Sequence, residues 1–167
     1  MLKSKSEPLA NTATRMLQIR DVDQVMRWWH FFRNGLEVIN RETKWNESRE
    51  NFFRMLVHVI KIGDRKGQLL IQVDGALHPL GFLVAADNTP PFGDKSALIY
   101  AVYSNKLVPS TFMELIAEVS QWAMTEEYKQ VQAVSYRLNR TSVKLFKKYL
   151  PDRKFMVFTK VLNGTHN

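Results

Sequence analysis

The chain has 167 residues, a hydrophobic fraction of 45%, a net charge of +8 and no cysteine. That length sets one domain as the expectation, with apolar content for a packed core and no means of forming disulfides, thiolate metal sites or a cysteine nucleophile, which fits a reducing, cytoplasmic setting. No apolar run reaches the roughly 18 residues a membrane span requires, and the basic, polar start has no apolar centre of the signal-peptide kind.

Residues 1–15 are expected to form a flexible basic tail, and residues 16–163 one domain. Met16 to Ile19 is a strand candidate. Asp21 and Asp23 then open a helix, where carboxylates cap free N–H groups and meet the positive end of the dipole. Val22, Val25, Met26 and Trp29 follow at helical spacing. The run Trp-Trp-His-Phe-Phe, residues 28–32, covers more than a full turn, so its members cannot all face one core. Trp28, Phe31 and Phe32 fall off the stripe, between Arg27 and Arg33. They predict either a helix wedged between a sheet and the tail or an aromatic contact patch for a partner protein, where tryptophan and arginine are favoured.

A second helix is carried by Phe52, Phe53, Leu56 and Ile60. Residues 68–74 (QLLIQVD) and 80–87 (LGFLVAAD) read as a hairpin around a short turn containing His78. A loop with two prolines and a glycine follows. Residues 97–104 (ALIYAVYS) are almost continuously apolar, as for a central strand covered on both faces. A long helix from about Pro109 has Leu115, Ile116, Val119, Trp122 and Ala123 as its stripe. The strand 131–138, a short helix over 140–150 and a last strand at 154–162 complete the order β-α-α-β-β-β-α-β-α-β. The expected fold class is α/β, more strictly an α+β arrangement: a mixed sheet of about six strands with helices on both faces.

The basic balance points to an anionic partner, whether nucleic acid, a phosphate-rich cofactor or an acidic protein. Its local concentration runs from Arg137 to Lys148, with no nucleic-acid motif beside it. His30 and His58 on helices have no carboxylate at metal-ligand spacing. No nucleophile elbow marks a serine triad.

This order of elements resembles the GNAT superfamily of acyl-CoA-dependent N-acyltransferases. Residues 19–25 (IRDVDQV) are similar to that family's first strand and helix. Residues 79–87 (PLGFLVAAD) resemble its central hairpin, and 97–105 (ALIYAVYSN) the strand before its cofactor loop. Asn139, Ser142, Leu145, Phe146 and Lys148 match its late motif N-x-x-A-x-x-L-Y-x-K at or near register. The likeness covers the chain from about Met16 to Leu162. It implies that the strands at 97–104 and 131–138 splay and offer backbone groups to the pantetheine arm of acetyl-CoA. It also implies that the pyrophosphate meets the N-terminus of the next helix. The cofactor-binding residues carried over are Val102, Tyr103, Ser104, Lys106, Ser110, Thr111 and Asn139.

Three departures bear on activity. The phosphate loop, usually glycine-rich, corresponds to residues 107–112, where both glycines are absent, Pro109 removes a donor and Phe112 brings a large ring. Phe146 stands where many members have a proton-donating tyrosine, with Tyr149 three residues on as a substitute. The strand at 97–104 holds no carboxylate for a general base, leaving Asp87 at the end of the hairpin as the candidate. The chain also looks like the GNAT-like morphogenesis and internal virion proteins of tailed phages. That likeness implies a silent scaffold with protein partners, virion-associated or cytoplasmic, and no cofactor. The alternative is an active acetyl-CoA-dependent N-acetyltransferase acting on an amine of a protein or small molecule.

Overall fold

The structure, a computed structural model, describes residues 13–43, 45–105 and 110–133. The elements run β1 (Arg15–Gln18), α1 (Val22–Thr43), α2 (Arg49–Lys61), β2 (Gly67–Val73), β3 (Pro79–Asp87), β4 (Ser96–Ser104), α3 (Ser110–Thr125) and β5 (Gln130–Ala133). They match the first eight elements expected. The last helix, the last strand and residues 134–138 of the fifth strand lie outside the described residues.

Local chemistry accounts for the boundaries. Asp21 Oδ1 accepts from the Gln24 N–H at 2.7 Å and caps α1, so its N-terminal N–H groups are not left bare. Ser48, extended at φ −74° and ψ 152°, caps α2 through the Asn51 N–H. Asp74 closes the β2–β3 turn by accepting from the N–H groups of Ala76 and His78 at 2.9 and 2.8 Å. β1 starts at Arg15 and Thr14 already donates to Glu114 at 3.2 Å, so the folded body begins slightly before the expected boundary at Met16.

The five strands lie in sequence order, β1-β2-β3-β4-β5. The first four pair antiparallel, and β5 is parallel to β4 through Ser96–Gln130 to Ile99–Ala133. α1 and α2 cover one face, over Phe82, Val84, Leu69 and Ile71. α3 covers the other, over Leu70, Leu83, Ala85, Ala97 and Ile99. With both faces covered, every residue of β2 is buried, so apolar and polar positions do not alternate along it.

β4 carries one extra residue. Ala85 pairs with Ile99 and Val84 with Ala101, leaving Tyr100 as a bulge. A side-chain period of two means that one extra residue reverses which positions face each layer. Before the bulge, Ala97 and Ile99 pack under α3. After it, Ala101 and Tyr103 pack under α1 and α2, and Val102 takes the α3 side.

The aromatic run on α1 packs differently from expectation. Phe32 is fully buried and Met26, placed on the stripe by spacing, is 56% exposed. Phe32 meets Phe82 at 5.2 Å between ring centroids, and Phe31 meets Phe82 and Tyr103 at 5.9 and 5.7 Å. Trp28 and Trp29 also pack against this core. The sheet rings Phe82 and Tyr103 take Phe31 and Phe32, and Phe53 of α2 takes Trp29 at 5.3 Å, so the run finds apolar partners on more than one side. Gly35 makes the close approach possible, because a Cβ there would collide with the Phe82 ring.

Candidate functional site

β4, α3 and β5 form a unit in which two parallel strands flank one helix. The C-terminal half of β4 and the first turn of α3 lie at the same end of the sheet, since Gly81, opposite Ser104 in the ladder, sits directly beneath Thr111. This is the end where an anion would meet the free N–H groups and dipole of a helix start. Ser110, the first helical residue, is exposed there.

Two side chains assigned to the cofactor loop point elsewhere. Thr111 is fully buried, its methyl over Gly81 and its hydroxyl without a hydrogen-bond partner. Its side chain is therefore packed against the sheet and does not face a phosphate. Phe112 is 8% exposed and belongs to the core with Leu115, Ile116 and Val119. Its ring does not stand across the helix entrance, because α3 has already begun at Ser110 and carries the ring inward.

Val102, Tyr103 and Ser104 are half-buried along the outer half of β4. Tyr103 contributes its ring to the α1 side, tilted against Phe82 at 5.7 Å. Lys106, Asn139, Phe146 and Tyr149 lie outside the described residues. So does the splay expected beyond Val131.

Asp87 does not join this group. It pairs with Ala97 at the opposite end of β4, about 20 Å along the strand from Ser104 at ~3.3 Å per residue. Its carboxylate accepts from the Thr89 N–H at 2.8 Å and from the Thr89 hydroxyl. Burial works to raise this carboxyl, but the Thr89 bonds, Lys66 and Lys95 together hold it below the ordinary aspartate value. A carboxylate so held is a turn-former and a poor proton acceptor, so the general-base assignment is corrected.

Two features had no counterpart in the sequence reading. Gln72, 1% exposed, donates its amide to Glu114 of α3, and its own carbonyl oxygen has no partner. This polar bridge ties the first turns of α3 to β2 on the α3 face. The second feature is Tyr100. It is 37% exposed in a central strand, between Ile99 at 3% and Ala101 at 5%. Periodicity treats it as one more core residue of an apolar run, and a bulge without glycine leaves no mark in the sequence.

Among the described residues, no group of three or more His, Asp or Glu side chains is placed to hold a metal ion. No helix among them is long and apolar enough to cross a membrane.

The arrangement is shared with known N-acetyltransferases. An aminoglycoside N-acetyltransferase, AAC(6')-Iy, solved in complex with CoA, superimposes with a TM-score of 0.71 at 12% identity, over 91% of this chain and 96% of the other. The ribosomal-protein-alanine N-acetyltransferase of Brucella melitensis biovar Abortus 2308 gives 0.64 at 15% identity, over 90% and 100%. The aminoglycoside 6'-N-acetyltransferase AAC(6')-Ih of Acinetobacter baumannii gives 0.62 at 11% identity, over 93% and 99%. No family model and no curated protein sequence matches the chain. The fold is that of the GNAT acetyltransferases, in a single α/β domain with a mixed sheet.

Proposed function

We propose that this chain is an acyl-CoA-dependent N-acyltransferase that transfers an acetyl group to an amine. One observation carries the reading: α3 begins beside the end of β4 with Ser110 outward and the Phe112 ring turned into the core. The helix start offers N–H groups, a dipole and the Ser110 hydroxyl to an anion, and among the described residues no bulky side chain stands across it. The outer half of β4, from Ala101 to Ser104, would lie along the pantetheine arm, and Ser110 would meet the pyrophosphate. When bound, acetyl-CoA would supply the activated acyl group. The chain supplies a surface that orients the donor and the acceptor amine.

The competing scaffold reading drew on the aromatic run of α1 as a partner-binding patch. Phe32 is buried, and Trp28 and Phe31 are partly buried against the core, which leaves less of that run for a partner. The phage likeness and a virion location have no structural observation behind them.

Calorimetric titration with acetyl-CoA tests the proposal. Without the loop glycines, fewer N–H groups approach phosphate, and each bond to a charged group forfeited costs about 1.5–3 kcal/mol. The expected dissociation constant is therefore weaker than about 1 µM, roughly tenfold for each 1.4 kcal/mol lost. Saturable binding with release of free thiol in the presence of an amine panel supports the reading. No heat at millimolar acetyl-CoA refutes it.

A further inference from the structure

Moving an acyl group from a thioester to an amine forms a C–N bond and breaks a C–S bond. One proton must leave nitrogen and one must reach sulfur. A side chain that does both has to carry an exchangeable proton and stand beside the reacting carbon.

The described part of the sheet offers few such groups near the helix start. β3 opposite the outer half of β4 contributes Gly81 to Val84, all without titratable side chains. Asp87 is at the far end. Glu114 is engaged by Gln72 and Thr14, across β2 and β1. The Tyr103 ring is held among Phe31 and Phe82 on the α1 side. Tyr100 remains. It is the extra residue of the bulge in β4. A residue in mid-sheet with a helix layer on each face is ordinarily buried, as Ile99 and Ala101 are. Tyr100 is open to solvent. Bulges are a recognised means of re-aiming one side chain beside a reaction centre.

We propose that Tyr100 is the proton-transfer residue of this site. The inference rests on the acyltransferase reading. The phenol gives its proton to the departing sulfur as the C–S bond breaks. It recovers one from the acceptor nitrogen as the C–N bond forms, so Tyr100 ends as it began, and the products are a thiol and an amide.

The test compares wild type with Tyr100→Phe by calorimetry against CoA and against desulfo-CoA, which lacks the sulfur, with turnover on amines as a second arm. The expected wild type binds CoA at least threefold more tightly than desulfo-CoA, the size of a single hydrogen bond to sulfur. Tyr100→Phe erases that preference and leaves desulfo-CoA affinity and melting temperature unchanged. Its kcat falls about a hundredfold, the lower range for a lost proton donor. Three results overturn the proposal while the acyltransferase reading stands. They are an unchanged preference for CoA, equal weakening of both ligands (a groove wall only), or kcat within tenfold of wild type. Wild type that binds neither ligand removes the reading itself, and the proposal with it. Where no acceptor turns over, the binding arm decides.

Discussion

Thr111→Val is expected to stabilise the protein. Thr111 is wholly buried, and its hydroxyl is one of the buried polar atoms that find no partner. Burying a hydroxyl without a hydrogen bond costs about 1–3 kcal/mol by mutational measure. Valine keeps the branched shape and the methyl over Gly81, and the helix propensities of the two residues are close. The gain should therefore be about 1–2 kcal/mol. In a domain of this size that corresponds to a rise of roughly 2–8 °C in melting temperature. The urea midpoint should move up with the slope unchanged, which reports stability alone. Thr111→Ala is the control. It removes the same hydroxyl but also the methyl over Gly81, so it should fall below Thr111→Val by about 1 kcal/mol or more. A Thr111→Val protein destabilised by about 1 kcal/mol would refute the reasoning, because the hydroxyl would then have to be hydrogen-bonded.

Gly81→Ala should be severely destabilising, by about 3 kcal/mol or more, because the new Cβ would lie 2.5 Å from Thr111 Cγ2 and 2.6 Å from the Tyr103 carbonyl oxygen; chemical denaturation measures it, and a near-neutral change would show that α3 can lift freely. The Tyr128 phenol is pushed up to about 12, chiefly by burial and then by Asp87 and Glu126. A raised folded value means that this contribution to stability is whole below about pH 10, the unfolded value, and is lost as pH rises through about 12. Urea midpoints of wild type and Tyr128→Phe between pH 9 and 12 should therefore converge as pH rises, and parallel curves would contradict the sign.

The parts legible in the sequence are those where spacing and a cap agree. α2 follows from Phe52 and Leu56 one turn apart, and the structure adds Ser48 as its cap. α1 was less legible, since five large residues in a row offer apolar surface in every direction. The choice between Met26 and Phe32 was made by the Phe82 ring across the interface, which no local pattern reveals. The start of α3 shows a different limit. Phe112 continues the spacing of Leu115, Ile116 and Val119 back by one turn, so the sequence did hold the signal that it is core. Aligning residues 107–112 with a phosphate loop overrode that spacing. Tyr100 and the Gln72–Glu114 bridge depend on a ladder irregularity and on a pairing of residues 42 positions apart, neither of which periodicity expresses.

The reversal of facing at Tyr100 makes β4 two half-strands of opposite phase, spliced at one residue. Length changes in this strand are therefore unequal in effect. Deleting Tyr100 would remove the bulge and bring Ile99 next to Ala101 with both halves in their present phase, Ala97 and Ile99 toward α3 and Ala101 and Tyr103 toward α1. A chimera that borrows the outer half of this strand from another protein would have to join it on the same side of the splice. An insertion of two residues beyond the splice would keep the phase, while an insertion of one would not. The single residue that opens the strand to solvent is one on which the facing of its neighbours does not depend.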